Sequence, residues 1–137
     1  MAYISEIDLK KYLTENQIQI VKRSAEGNID YIEEAIETAE SYVRDRLNYK
    51  YDMVEELAKT GTSRNPTLIS IISMMAIKEL LVPFDLYQDG REDQFAEASA
   101  KLDMIENGTL LSDVLPAYDP ETRRIYYGTN ENYDLQF

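Results

Sequence analysis

From Thr67 to Val82 the sequence reads TLISIISMMAIKELLV, and wound into a helix it has no polar side. Leu68, Ile69, Ile71, Ile72, Met74, Met75 and Ile77 cover nearly every direction around an axis of 3.6 residues per turn. A helix that is apolar all round has to be surrounded by protein. It is therefore either the central helix of the domain or a helix partly covered by another subunit, with Ile71, Met74 and Met75 as the core or subunit contacts. The Met74-Met75 pair would also suit an adaptable binding surface, although core filling is the ordinary role of such side chains. Asn65-Pro66 opens the helix, with Pro66 at the first helical position, where its missing N–H is not needed. Lys78 and Glu79 interrupt the run and Pro83 ends or kinks it, so it is expected to fall short of a membrane span.

One buried helix needs others to bury it, and 137 residues suffice for one domain with a real core. The remaining signals are helical. Asp30 with Glu33 opens DYIEEAIETAESYVRDRLNY, in which Ile32, Ala35/Ile36, Ala39, Tyr42/Val43 and Leu47 recur at three- and four-residue spacing and share a face. Its acidic residues come early and Arg44 and Arg46 late, as the helix dipole favours. Ser5 with Asp8 resembles a capping box before a short helix through Tyr12 and Leu13. Thr14 with Gln17 is a second box, predicting a helix from Thr14. Glu26-Gly27-Asn28 breaks the chain. Residues 48–64 read as a polar connection with one helical turn at Met53–Ala58. In REDQFAEASAKLDMIENG, Phe95, Ala98, Leu102 and Ile105 make an apolar stripe, and Gly108 stands at a C-terminal cap. The expected fold is all-α: a compact bundle of about four to five helices over residues 1–111, followed by an irregular C-terminal arm, residues 112–137.

Chemistry is sparse. With no histidine and no cysteine there is no imidazole base, no thiol nucleophile and no thiolate metal site. Gly-rich phosphate loops are absent as well. Glu33, Glu37 and Glu40 share a helix face and could grip a divalent cation, but metal sites in helix bundles draw ligands from several helices, and a solvated acidic face fits better. Asp85, Asp89, Glu92 and Asp93 lack the ligand spacing of an EF-hand loop. The expectation is no catalytic, cofactor or metal site, and not an enzyme; a carboxylate-only hydrolase is the enzymatic alternative. MAYISEIDLKK lacks the basic-then-apolar pattern of a secretory signal. The formal net charge of −12 argues against tight nucleic-acid binding, although an acidic wall would keep a passing duplex from sticking.

Four segments, taken in order, resemble the small head–tail connector (adaptor, or head-completion) proteins of tailed bacteriophages, and most closely a Mu-like family of small helical neck proteins. Tyr3, Ser5, Asp8 and Leu9 match a Y-x-[ST]-x-x-[DE]-L start. Ala35, Ala39, Glu40, Val43 and Leu47 match the pattern of the long helix. Pro66 starts the apolar helix, and Leu102, Ile105, Gly108 and Leu110 match the closing signature. The resemblance covers about residues 3–112. It implies a structural virion protein forming a ring on the portal vertex, commonly of twelve copies, that extends the DNA channel and offers a platform to the next neck or tail protein. Its partners would be the portal protein, neighbouring copies and DNA only in passage, with no membrane. Its place would be the virion neck, and the host cytoplasm during assembly. The alternative is a small helical protein-binding or regulatory module outside any virion.

The arm lies beyond the resemblance. VLPAYDPETRRIYYGTNENYDLQF is aromatic, yet too short and too broken by Pro116, Pro120 and Gly128 to build a core alone. It reads as a docking segment that orders on a partner, anchored by Tyr118, Arg123, Arg124, Tyr126, Tyr127 and Phe137, since such segments need large buried side chains to offset their lost entropy. The other reading is that it packs back over its own helices.

Overall fold

The structure is a computed structural model and describes residues 3–24, 30–87 and 89–117. These residues form an all-α bundle: α1 (Glu6–Leu9), α2 (Glu15–Ser24), α3 (Tyr31–Leu47), α4 (Met53–Leu57), α5 (Pro66–Leu81) and α6 (Asp89–Glu106), with 3-10 turns at Gly61–Ser63 and Val82–Phe84. Among the described residues there is no strand, and one isolated antiparallel bridge joins Tyr51 to Ala117.

Helix α5 is the central helix. It packs most extensively on α3, then on α6, and also touches α1. Every residue from Ile71 to Ile77 is buried, about two turns with no outward face. Ile71, Met74 and Met75 thus fill the core of their own chain. At about 1.5–3 kcal/mol for each large aliphatic side chain, this helix is the largest single source of hydrophobic stabilisation. Its start is fixed by Asn65, whose Oδ1 accepts from the N–H groups of Thr67 (2.9 Å) and Leu68 (3.3 Å). Lys78, half-buried near the end of the helix, places its Nζ 3.9 Å from the Phe95 ring centroid.

The α-helical part of α5 ends at Leu81, just ahead of Pro83 as expected. The path nevertheless continues as a 3-10 turn, with Pro83 in its first turn, where no N–H is required of it. The run Pro66–Phe84 therefore reaches 19 residues with mean hydropathy 1.7, enough by length and composition for a membrane span. The reading of this run as too interrupted is corrected on that point. Its apolar surface is taken up largely by α3 and α6.

Within this core Ser73 is fully buried, and its Oγ has no hydrogen-bond partner among the described residues. An unpaired buried hydroxyl is a net cost, so Ser73→Ala is expected to raise the unfolding free energy by about 1 kcal/mol in urea titration. An unchanged or lowered value would mean that the hydroxyl is satisfied after all.

Helix α3 begins at Asp30, whose Oδ1 accepts from Glu33 N at 3.1 Å. Ile32, Ala35, Ile36, Ala39, Val43 and Leu47 are buried along it. Tyr42, expected on this face with Val43, is instead 48% exposed: the seam passes through Ala39 and Val43, and Tyr42 lies one step round the helix. The polar connection 48–64 is less polar in place than in sequence, since Tyr51, Met53 and Glu56 are all buried. In α6, Ala98, Leu102 and Ile105 are buried and Phe95 half-buried. Gly108 closes the helix with φ +89°, and Thr109 N donates to Met104 O at 2.9 Å. A Cβ there would lie 2.6 Å from Lys50 Nζ, the mobile end of a long side chain that can move aside, so it is the backbone that calls for glycine.

Residues 112–117, expected to begin the arm, lie on the domain. Leu115 is buried, Asp52 N donates to Pro116 O at 2.7 Å, and Tyr51 OH donates to Ile105 O at 2.8 Å.

Candidate functional site

The anchors expected in the arm, Tyr118, Arg123, Arg124, Tyr126, Tyr127 and Phe137, lie outside the described residues. Among the described residues the densest polar chemistry is a network around the N-terminal segment. It was not anticipated from sequence.

Tyr3 is its centre. Its hydroxyl donates to Glu56 Oε2 at 2.7 Å and accepts from Asn65 N at 2.6 Å, so one phenol joins α4 to the start of α5. Glu56 is 2% exposed, and its other oxygen accepts from Lys59 Nζ at 2.8 Å. Burial, reinforced by the Glu56 carboxylate, pushes the Tyr3 phenol well up, so it stays a donor across the accessible pH range. The main chain is held as firmly. Glu40 Oε2, half-buried on α3, accepts from the N–H groups of Tyr3 (2.8 Å) and Ile4 (3.1 Å). Arg64 Nη1 donates to Tyr3 O and to Asp8 Oδ2, each at 2.9 Å, while Asp8 Oδ2 accepts from Ser5 N at 2.9 Å. Thus the expected Ser5–Asp8 pairing exists, but its carboxylate also serves an arginine 56 residues away. The Thr14–Gln17 box forms in both directions at 3.1 Å.

Two carboxylates of this network titrate in opposite senses. Burial pushes Asp8 up, but the Arg64 guanidinium and the Ser5 N–H outweigh it and hold Asp8 below 3.8. Burial pushes Glu40 above 4.5 despite its two N–H donors, with Glu37 adding to the rise. For Glu40 the folded form holds its proton more tightly than the unfolded form, so its contribution falls as pH rises above 4.5. Asp8 contributes fully above 3.8, and its contribution is lost as pH falls through its lowered value. Glu40→Gln is therefore expected to flatten the fall of melting temperature as pH rises above 4.5, measured by calorimetry. An unaltered slope would mean that another group carries it.

A second cluster joins α3 to α6. Arg46 donates to Asp103 Oδ1 at 2.7 Å and to Glu106, lies 5.8 Å from the Tyr42 ring centroid, and reaches the Tyr42 hydroxyl at 3.3 Å. Glu106 and Asp103 push the guanidinium further up, so it is permanently charged. Tyr49 donates to Glu106 O at 3.1 Å and is 62% exposed. Tyr42, Arg46 and Tyr49 form a stripe whose arginine is already fixed, and these are side chains enriched at protein–protein hot spots. Sequence reasoning sought that combination only in the arm; the signal was Tyr42 and Arg46 one turn apart on α3, with Tyr49 in the turn just after it.

A third feature is a cleft of about 480 Å³ between α3 and the end of α5, lined by Tyr31, Glu34, Ala35, Thr38, Glu79, Leu80, Pro83 and Phe84. Of the candidate metal-ligating trio, Glu33 and Glu37 are exposed, while Glu40 is committed to the N-terminal amides.

Comparison of the chain with protein-family models, with curated proteins and with solved structures gives no match. The residues of the start pattern and of the long-helix pattern meet in space: Tyr3 and Asp8 lie in the N-terminal network, Leu9 is buried, and Glu40 binds the Tyr3 amide. Ala35, Ala39, Val43, Leu47, Leu102 and Ile105 are core residues, and Gly108 is the cap of α6. In this chain the pattern residues build the fold.

Proposed function

We propose that the chain is a structural connector protein of a tailed phage, a ring-forming subunit that sits on the portal vertex, lengthens the DNA channel and receives the next neck or tail protein. The observation that carries this reading is the hydrogen bonding of two pattern segments to one another, Glu40 to the amides of Tyr3 and Ile4. The residues that resemble the connector family thus act as one structural unit. Two further features support it. The net charge of −12 suits a wall past which DNA must slide. The arm leaves from a fixed root at Ala117, as a docking segment requires.

The test is the native mass of the purified chain, alone and with the portal protein of the same genome. A stoichiometric ring on the portal is the expected result; a chain that ignores the portal overturns the reading. A second reading, a helical module that binds one protein partner outside any virion, draws on the exposed Tyr42–Arg46–Tyr49 stripe. It predicts a monomer or dimer whose partner binding is lost in Tyr49→Ala.

A further inference from the structure

The cleft between α3 and the end of α5 combines apolar walls with negative charge. Tyr31 and Phe84 meet edge to face, centroids 5.4 Å apart and planes at 79°. Ala35, Leu80 and Pro83 line its interior, and Glu34 and Glu79 are exposed at it. Among the described residues neither carboxylate takes part in an ion pair or a side-chain hydrogen bond. A side chain with an apolar stem and a cationic head matches such a site, and arginine, planar and weakly hydrated, matches it better than lysine.

We propose that this cleft receives the Arg123–Tyr127 run of a neighbouring copy of the chain, with Arg123 and Arg124 facing Glu34 and Glu79. This deepens the ring reading and rests on it for the neighbouring copy. Charge is the first argument. RRIYY holds the only two cations of residues 118–137, side by side and next to two aromatic rings, in a chain of net charge −12. Reach is the second. The arm starts at Ala117, fixed beside Tyr51 just past the C-terminal end of α3. Glu34 stands about 20 Å up that helix from Leu47 at 1.5 Å per residue. The chain from Ala117 to Arg123 spans about 20 Å only when fully extended, with Pro120 inside it. The chain's own cleft thus demands a taut arm, while the reach to a neighbour's cleft is set by how the copies pack. Because arm and cleft are different surfaces, the contact is head-to-tail, the kind that makes a ring when its rotation closes.

The absence of cysteine allows a clean test on the full-length chain. Thr38→Cys marks the cleft, Thr122→Cys marks the arm, and Thr60→Cys, exposed between α4 and α5, is the control. Equal mixtures are oxidised and the cross-linked peptides quantified by mass spectrometry. The 38–122 link is expected to form about ten-fold faster than the 60–122 link, an advantage worth about 1.4 kcal/mol, and to lose that advantage when the cleft chain also carries E34K and E79K. Equal rates for the two links overturn the proposal. So does a doubly substituted chain that closes on itself in dilute solution while the mixed single variants stay unlinked, which would put the arm in its own cleft. The portal protein takes no part, so this result can fail while a portal-templated ring stands, and can succeed where portal binding fails.

Discussion

Tyr3→Phe is expected to lower the unfolding free energy by about 2–3 kcal/mol in urea titration, although it removes a single oxygen. Among the described residues that oxygen is the only group joining the buried Glu56 carboxylate to the first amide of the α5 cap. Without it Glu56, 2% exposed, keeps its bond to Lys59 but loses the phenol donor, and Asn65 N loses the phenol as acceptor. Leaving a buried carboxylate short of a donor costs more than the lost bond itself is worth. Tyr3→Ala adds the loss of a fully buried ring, for a total of about 5 kcal/mol, comparable with the whole stability of many small domains. Glu56→Gln keeps shape and one acceptor, and should cost less than Tyr3→Phe. A Tyr3→Phe variant within about 0.5 kcal/mol of the parent would show that hydrophobic contact alone seats the N-terminal segment.

The second large effect comes from where the arm is cut. A chain ending at Ala117 is expected to melt within about 2 °C of the full chain, while one ending at Asp113 melts about 10 °C lower, both measured by calorimetry. The four residues between the cuts include Leu115, buried among the core side chains, and Pro116, whose carbonyl accepts from Asp52 N. Together they are worth about 3 kcal/mol, from one leucine burial and one backbone hydrogen bond. Under the connector reading the chain ending at Ala117 also fails to assemble on the portal. A large fall in melting temperature on removing residues 118–137 alone would instead favour an arm packed on its own helices.

The helices were legible because their signals are local. The caps at Asp30 and Asn65 lie within three residues of the amides they hold, and the apolar periods of α3 and α5 are written in consecutive turns. The network around Tyr3 was not legible. Glu40 reads as one more charge on an acidic helix, and Glu56 as one more in a polar connection, while the groups that bury them come from 37 and 53 residues away. No local pattern distinguishes a carboxylate that meets water from one that meets the amide of a distant segment. Tyr42 shows the same limit from the other side. Spacing put it within one step of the seam, and the fit of Ala39 and Val43 into that seam turned it outward. The boundary of the arm slipped because Leu115 carries no periodic context, so its burial depends wholly on the surface formed by residues far from it in sequence.

The root at Ala117 also determines how tension would travel. Under the docking reading, a pull on residues 118–137 would reach the described bundle at Ala117, through the antiparallel pairing with Tyr51, and pass by the Tyr51 hydroxyl to the end of α6. The first things to yield are the single hydrogen bond from Asp52 to Pro116 and then the Leu115 side chain drawn from its socket. Both lie outside the contacts that hold α3 on α5. Under that reading the root would act as a mechanical fuse, in which a tug that frees these few residues leaves the packing of α3 on α5 whole.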